Sequence, residues 1–176
     1  MGLFSAKTKE IEYDAKECAD KKERMRQMFD EAVEEGEAYE ILHATQTSSK
    51  FERGFIFDTT TTSFYHYIVG YRRDSGSVVM VQVDRELTMH SEAVFIDMFA
   101  VVGISYNPKY SQACLKYEKG YGSYGEILNI GDSGSKTMYG IANMVQKEER
   151  ERFLDFLEEE RSRLQNEGHK QEKWKR

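Results

Sequence analysis

Several things are scarce in this sequence, and each scarcity excludes something. There is one proline, Pro108, among 176 residues, which argues against a proline-rich linker or disordered tail protein. The two cysteines, Cys18 and Cys114, fall in different predicted elements and have no neighbouring histidine. They read as small buried hydrophobes rather than as a disulfide or a zinc pair. No apolar run approaches the ~20 residues of a membrane-spanning helix, so no transmembrane segment is expected. Residues 1–4 are followed at once by Lys7, Lys9 and Glu10, which is no secretory signal. Ala6 stands where N-myristoylation wants Ser or Thr. A cytoplasmic location is the expectation. Positive charge is also in deficit, with 25 Lys+Arg against 31 Asp+Glu for a net −6, so nucleic acid is not an expected partner.

The chain does hold the makings of a folded domain. Hydrophobic residues make up 39% and aromatics 12%, enough for one sizeable core at this length. Residues 15–35 carry Cys18, Met25, Met28, Phe29, Ala32 and Val33 at helical spacing, a thin apolar stripe. Gly36 then offers a left-handed C-cap. The stripe suits packing on its own domain, and it also offers a face for a partner. Strands are predicted near residues 39–47, 63–72, 78–83, 92–97, 101–107, 112–118 and 125–131. Between the first two lies a long connection, 48–62, with its own cluster Phe55-Ile56-Phe57; a loop of that length is functional, mobile or conceals a strand. Arg73-Asp74-Ser75-Gly76 is a hairpin turn with Gly supplying the positive φ. Val79, Val81 and Val83 alternate along the next strand, so a one-residue slip would point them at water. Residues 131–136 form a bridge to another extended piece at 138–141. A closing helix is expected from about Asn143, with Gln146 completing a capping box and Phe153, Phe156, Leu157 and Leu164 on its apolar face.

The fold class is therefore α+β, mainly β: a curled antiparallel sheet or barrel of about seven strands, capped by a C-terminal amphipathic helix, with an added N-terminal helix. The runs Val94-Phe95-Ile96, Gly103-Ile104-Ser105-Tyr106, Cys114-Leu115-Lys116-Tyr117, Glu126-Ile127-Leu128 and Phe153-x-x-Phe156-Leu157 follow one another in an order that resembles the bacterial pleckstrin-homology-like (PH-like) domains. The resemblance spans roughly residues 39–166. It divides the chain into an N-terminal helical extension (1–36), the PH-like domain with its closing helix (37–167), and a basic disordered tail (168–176). It implies a binding module, since members of this superfold bind phosphoinositides, peptides or partner domains.

No catalytic pattern holds together. Gly120-x-Gly122-x-x-Gly125 spells a dinucleotide-binding fingerprint, but it opens onto a strand rather than a helix and reads as a hairpin loop. Gly131-Asp132-Ser133-Gly134 matches the run around a protease nucleophile, without the length that such a triad needs. His43, His66, His90 and His169 have no metal-ligand spacing, so no metal or cofactor is expected. The acidic runs Glu34-Glu35 and 158–160 are solvated helix faces. Two features remain. Lys50, Arg53, Arg72 and Arg73 occupy the region from which lipid-binding members of the family draw their phosphate contacts, which makes them candidate ligand-binding residues for anionic lipid. Tyr65, Tyr67, Tyr71, Tyr121 and Tyr124 offer either packing or a recognition surface. The leading expectation is a non-enzymatic adaptor that meets a protein partner or itself, with the first helix contributing to that contact. Peripheral binding to anionic membrane is the alternative, and an enzyme with an unrecognised site a second alternative.

Overall fold

The computed structural model describes residues 11–53, 59–120, 124–137, 139–172 and 174. In chain order the elements are α1 (Ala15–Ala32), β1 (Glu40–Glu52), β2 (Thr59–Arg72), β3 (Ser77–Val83), β4 (His90–Ile96), β5 (Val101–Asn107), β6 (Gln112–Tyr117), β7 (Gly125–Asn129) and α2 (Lys147–Asn166). The strands form one antiparallel sheet in the order β4-β3-β2-β1-β7-β6-β5. The sheet is not closed: β4 and β5 are its two edges. Among the described residues no helix is long and apolar enough to cross a membrane.

Two apolar layers hold the sheet. On the inner face, Leu42, Val69, Tyr71, Val78, Ile104, Leu115 and Leu128 pack against Phe153, Phe156, Leu157 and Leu164 of α2. The Tyr71 ring lies 5.1 Å from Phe153 and 4.9 Å from Phe156, so the expected aromatic plug is in place. On the outer face, Met25, Met28 and Phe29 of α1 cover Ile68, Val79, Val81 and Val83. The stripe of α1 is thus spent on its own sheet. This also corrects the expected patterning of β3. Val78 and Met80 face inward and Val79, Val81 and Val83 face α1, so β3 is buried on both sides and a register slip would not expose the valines.

Gly70 on β2 shows how closely α1 docks. A Cβ at that position would lie 2.1 Å from the Phe29 ring, so the glycine leaves the space the ring fills. At the end of α1, Glu35 rather than Gly36 takes the left-handed conformation, with φ 53. Gly36 is required by crowding instead, because a Cβ there would meet the Asp30 backbone at 2.9 Å.

The connection 48–62 is strand wherever it is described, apart from Arg53. β1 and β2 pair continuously from Glu40↔Tyr71 to Glu52↔Thr59, a hairpin that runs well past the rest of the sheet. The β-branched run of residues 59–62 favours extended backbone, and Ser49 Oγ meets Thr62 Oγ1 at 3.1 Å across the pair. The Phe55–Phe57 cluster lies outside the described residues.

Gln146 does not complete a capping box. It is 1% exposed, and its side-chain amide lies along β1: Oε1 accepts from His43 N (2.8 Å) and Nε2 donates to His43 O (2.7 Å). β1 and β7 share a single residue pair, Thr45↔Asn129. The Gln146 carboxamide supplies the donor and acceptor that a longer β7 would have given. Asn143, at φ 55, accepts from Asp14 N, and Tyr139 and Gly140 form a bend rather than a strand, with Ile141 irregular.

Candidate functional site

The four basic candidates do not converge. Lys50 sits opposite Thr61 near the far end of the long hairpin, and Arg53 follows β1 there. Arg72 and Arg73 lie at the other end of β2, roughly 35 Å away at ~3.3 Å per residue. Arg72 donates to Asp74 (Nε 3.1 Å, Nη2 2.8 Å) and to Glu35 (Nη1 3.3 Å), and the hydrogen bonds to Asp74 raise its pKa further. Arg73 pairs with Glu159 at 2.6 Å and donates to the Arg152 carbonyl at 2.8 Å. These two arginines tie the β2–β3 turn to Glu35, just past the end of α1, and to α2, so the anionic-lipid expectation is left without a shared basic face.

The sequence motifs are structural too. Gly120 and Gly125, at φ 101 and 137, flank the β6–β7 connection, and a Cβ on Gly125 would meet the Leu115 carbonyl oxygen at 2.0 Å. Tyr121, Gly122 and Ser123 lie outside the described residues. Asp132 of the Gly-Asp-Ser-Gly run accepts from Gln146 N (2.8 Å) and from Arg150 (3.3 Å), fastening the start of α2. Both cysteines are free, Cys18 buried against Val145 and Cys114 half-buried. Tyr71 is core, whereas Tyr65 and Tyr124 are exposed at separate places, so the described tyrosines share no single surface.

One pairing was hidden by sequence distance. His43 Nε2 and His66 Nδ1 lie 3.3 Å apart on adjacent strands, with stacked rings. Burial, and then the neighbouring His66, push His43 down to about 3, so the imidazole is neutral. Two histidines do not make a metal centre, and among the described residues no group of three His, Cys, Asp or Glu side chains is placed to hold an ion. Beside them a hollow of about 600 Å³ follows the β1–β7 seam. Four of its polar side chains are committed within it: Gln112 to Asn129 (2.9 Å), Asn129 to Thr45 O (3.0 Å) and Arg150 to Asp132.

The β4 edge is an exposed apolar surface among the described residues. Val94 lies opposite Met80 on the inner face and Phe95 opposite Val79 on the outer face. They are 61% and 62% exposed, and Phe99 just beyond the strand is 98% exposed. A cavity of about 490 Å³ adjoins them, between Phe95–Phe99, the β2–β3 turn and the C-terminal half of α2. Its α2 wall is ordered by Arg163, which donates to Glu160 (2.9 Å) and Glu167 (2.6 Å). Unpaired main chain flanked by apolar side chains on both faces invites another protein chain. Sequence reasoning treated Val94-Phe95-Ile96 as one apolar strand. The signal against full burial was the run itself, because consecutive residues face opposite ways and an edge has fewer neighbours to cover them.

Compared with known protein families, curated proteins and solved structures, the chain matches none.

Proposed function

We propose that this protein is a non-enzymatic binding module of PH-like type that works in the cytoplasm and meets a protein partner through its β4 edge. The observation that carries this reading is the exposure of Val94, Phe95 and Phe99 beside an unpaired strand and an open cavity. Seven strands followed by one closing helix, the element order on which the family resemblance rests, support the PH-like assignment. The commitment of Gln112, Asn129, Asp132 and Arg150 to one another and to main chain in the seam hollow supports binding over catalysis. The partner offers apolar side chains to both faces of the edge, and self-association would be read directly from sedimentation of the purified chain. The test compares proteins captured from native lysate by the wild type and by the double substitution F95E/F99S. A specific partner is expected to be lost from the variant by at least about tenfold, as for a central apolar hot spot. Both proteins should melt alike, since neither side chain is core. Equal capture by the two would overturn the assignment.

A further inference from the structure

The opposite edge of the sheet, β5, is covered by the chain's own C-terminal segment. Gln171 Oε1 accepts from Ile104 N at 3.0 Å, and Gln171 Nε2 donates to Val102 O at 2.9 Å. The carboxamide thus reads β5 as the main chain of an adjacent strand would. A Cβ on Gly103 between them would lie 4.0 Å from Gln171 Oε1, an ordinary contact, so the docking does not depend on glycine there. Further along, Trp174 lies over Tyr106 with ring centroids 6.3 Å apart, while the Arg161 guanidinium sits 5.9 Å from the indole and donates to the Glu172 carbonyl. A tail expected to be disordered is therefore docked where it is described.

The cover is incomplete in two ways. In a strand, alternate residues turn N–H and C=O to the same side, so the outward groups at Ile104 continue through the Ile104 carbonyl to Tyr106. One carboxamide reaches only one donor and one acceptor of that row. Moreover, Arg161 Nε and Trp174 Nε1 are buried with no hydrogen-bond partner among the described residues. Buried polar atoms without partners weaken the contact that buries them. A cavity of about 320 Å³ continues along β5 and β6 beside Tyr106, Ile127 and Glu172.

We infer that the β5 edge is a second docking site, for an extended peptide of another protein, and that the C-terminal segment is a displaceable strap over it. The peptide would extend the sheet by one strand, with backbone amides replacing the Gln171 carboxamide. It would carry an aromatic residue for the Tyr106–Arg161 shelf and offer a carboxylate or carbonyl oxygen to Arg161 Nε. This site is separate from the β4 edge and does not depend on it.

The probe is a fluorescent synthetic peptide with the sequence of residues 168–176, applied to the full chain, to Q171A/W174A and to the milder Q171E. Hydrogen exchange at the Ile104 amide and probe anisotropy are measured together. In Q171A/W174A the Ile104 amide is expected to exchange about tenfold faster while Leu115 in β6 stays protected. Added probe should restore the protection, and the variant should bind it about tenfold more tightly than the wild type, whose strap competes. Should the double substitution lose protection throughout the sheet, Q171E decides: it keeps the Oε1 acceptor, removes the donor to Val102 O, and should still bind the probe more tightly than the wild type. No binding to either variant, or equal binding to variants and wild type, would overturn the inference. A dimer of the wild type that depends on Gln171 and Trp174 would assign the edge to a second copy and overturn the peptide reading. F95E/F99S should leave every one of these readouts unchanged, which separates this test from that of the β4 edge.

Discussion

Single residues in this chain do work that their types did not announce. Gly70 reads as a weak point in a strand, yet it is the slot for the Phe29 ring. In G70A the ring must shift, and α1 with it. The cost expected for such overpacking is ~1–3 kcal/mol, read as a lower urea midpoint with an unchanged slope. A fully stable G70A would mean that α1 is not held by this contact. His43 makes the second residue-scale prediction. Its folded pKa, about 3, lies below the ~6.5 of an unfolded histidine, so the folded state resists the proton that the unfolded state accepts. The stability this represents is complete above pH ~6.5 and is lost as pH falls towards 3, at up to ~1.4 kcal/mol per pH unit. His66, also lowered chiefly by burial, acts in the same direction. Chemical unfolding between pH 7.5 and 4.5 should show the decline, and H43F should flatten it. An equal slope in H43F would place the titration elsewhere.

At the scale of elements, much was legible. The amphipathic stripe gave α1 its start, and the Asp74–Gly76 turn gave β2 and β3 their junction, with Gly76 at φ 65 as the turn requires. The apolar face of α2 also packs as its spacing says. What could not be read was pairing. The sequence leaves residues 48–62 open between loop and strand, because a hairpin projecting past its sheet has no core to face and needs only extended backbone and a partner strand. Gln146 was misplaced for a related reason. Local spacing suggested a cap, while its actual partner, the main chain of His43, is far away in sequence. Losing that amide leaves a buried N–H and C=O unsatisfied, at ~1–3 kcal/mol each. Q146A is expected to destabilise by about 2–6 kcal/mol by those figures, and amides along β1 near His43 should lose protection before those of β3. Uniform protection in Q146A would show that the β1–β7 seam holds without it.

For the whole molecule, the open sheet is the governing fact. Its two edges are treated differently: β5 is strapped by Gln171, whereas β4 displays Val94 and Phe95 with Phe99 beside it. The candidate lipid residues do not assemble because Arg72 lies eleven residues of extended strand beyond Thr61, the partner of Lys50. The β4 edge was invisible because neither strand order nor exposure follows from composition. The measurement that tests the account most directly is photo-crosslinking in cells, with a crosslinking amino acid placed in turn at Val94, at Phe99 and at Tyr65 on the long hairpin as control. The account predicts one discrete adduct shared by positions 94 and 99 and absent at 65. Adducts at 65 alone, or none at the β4 edge, would contradict it.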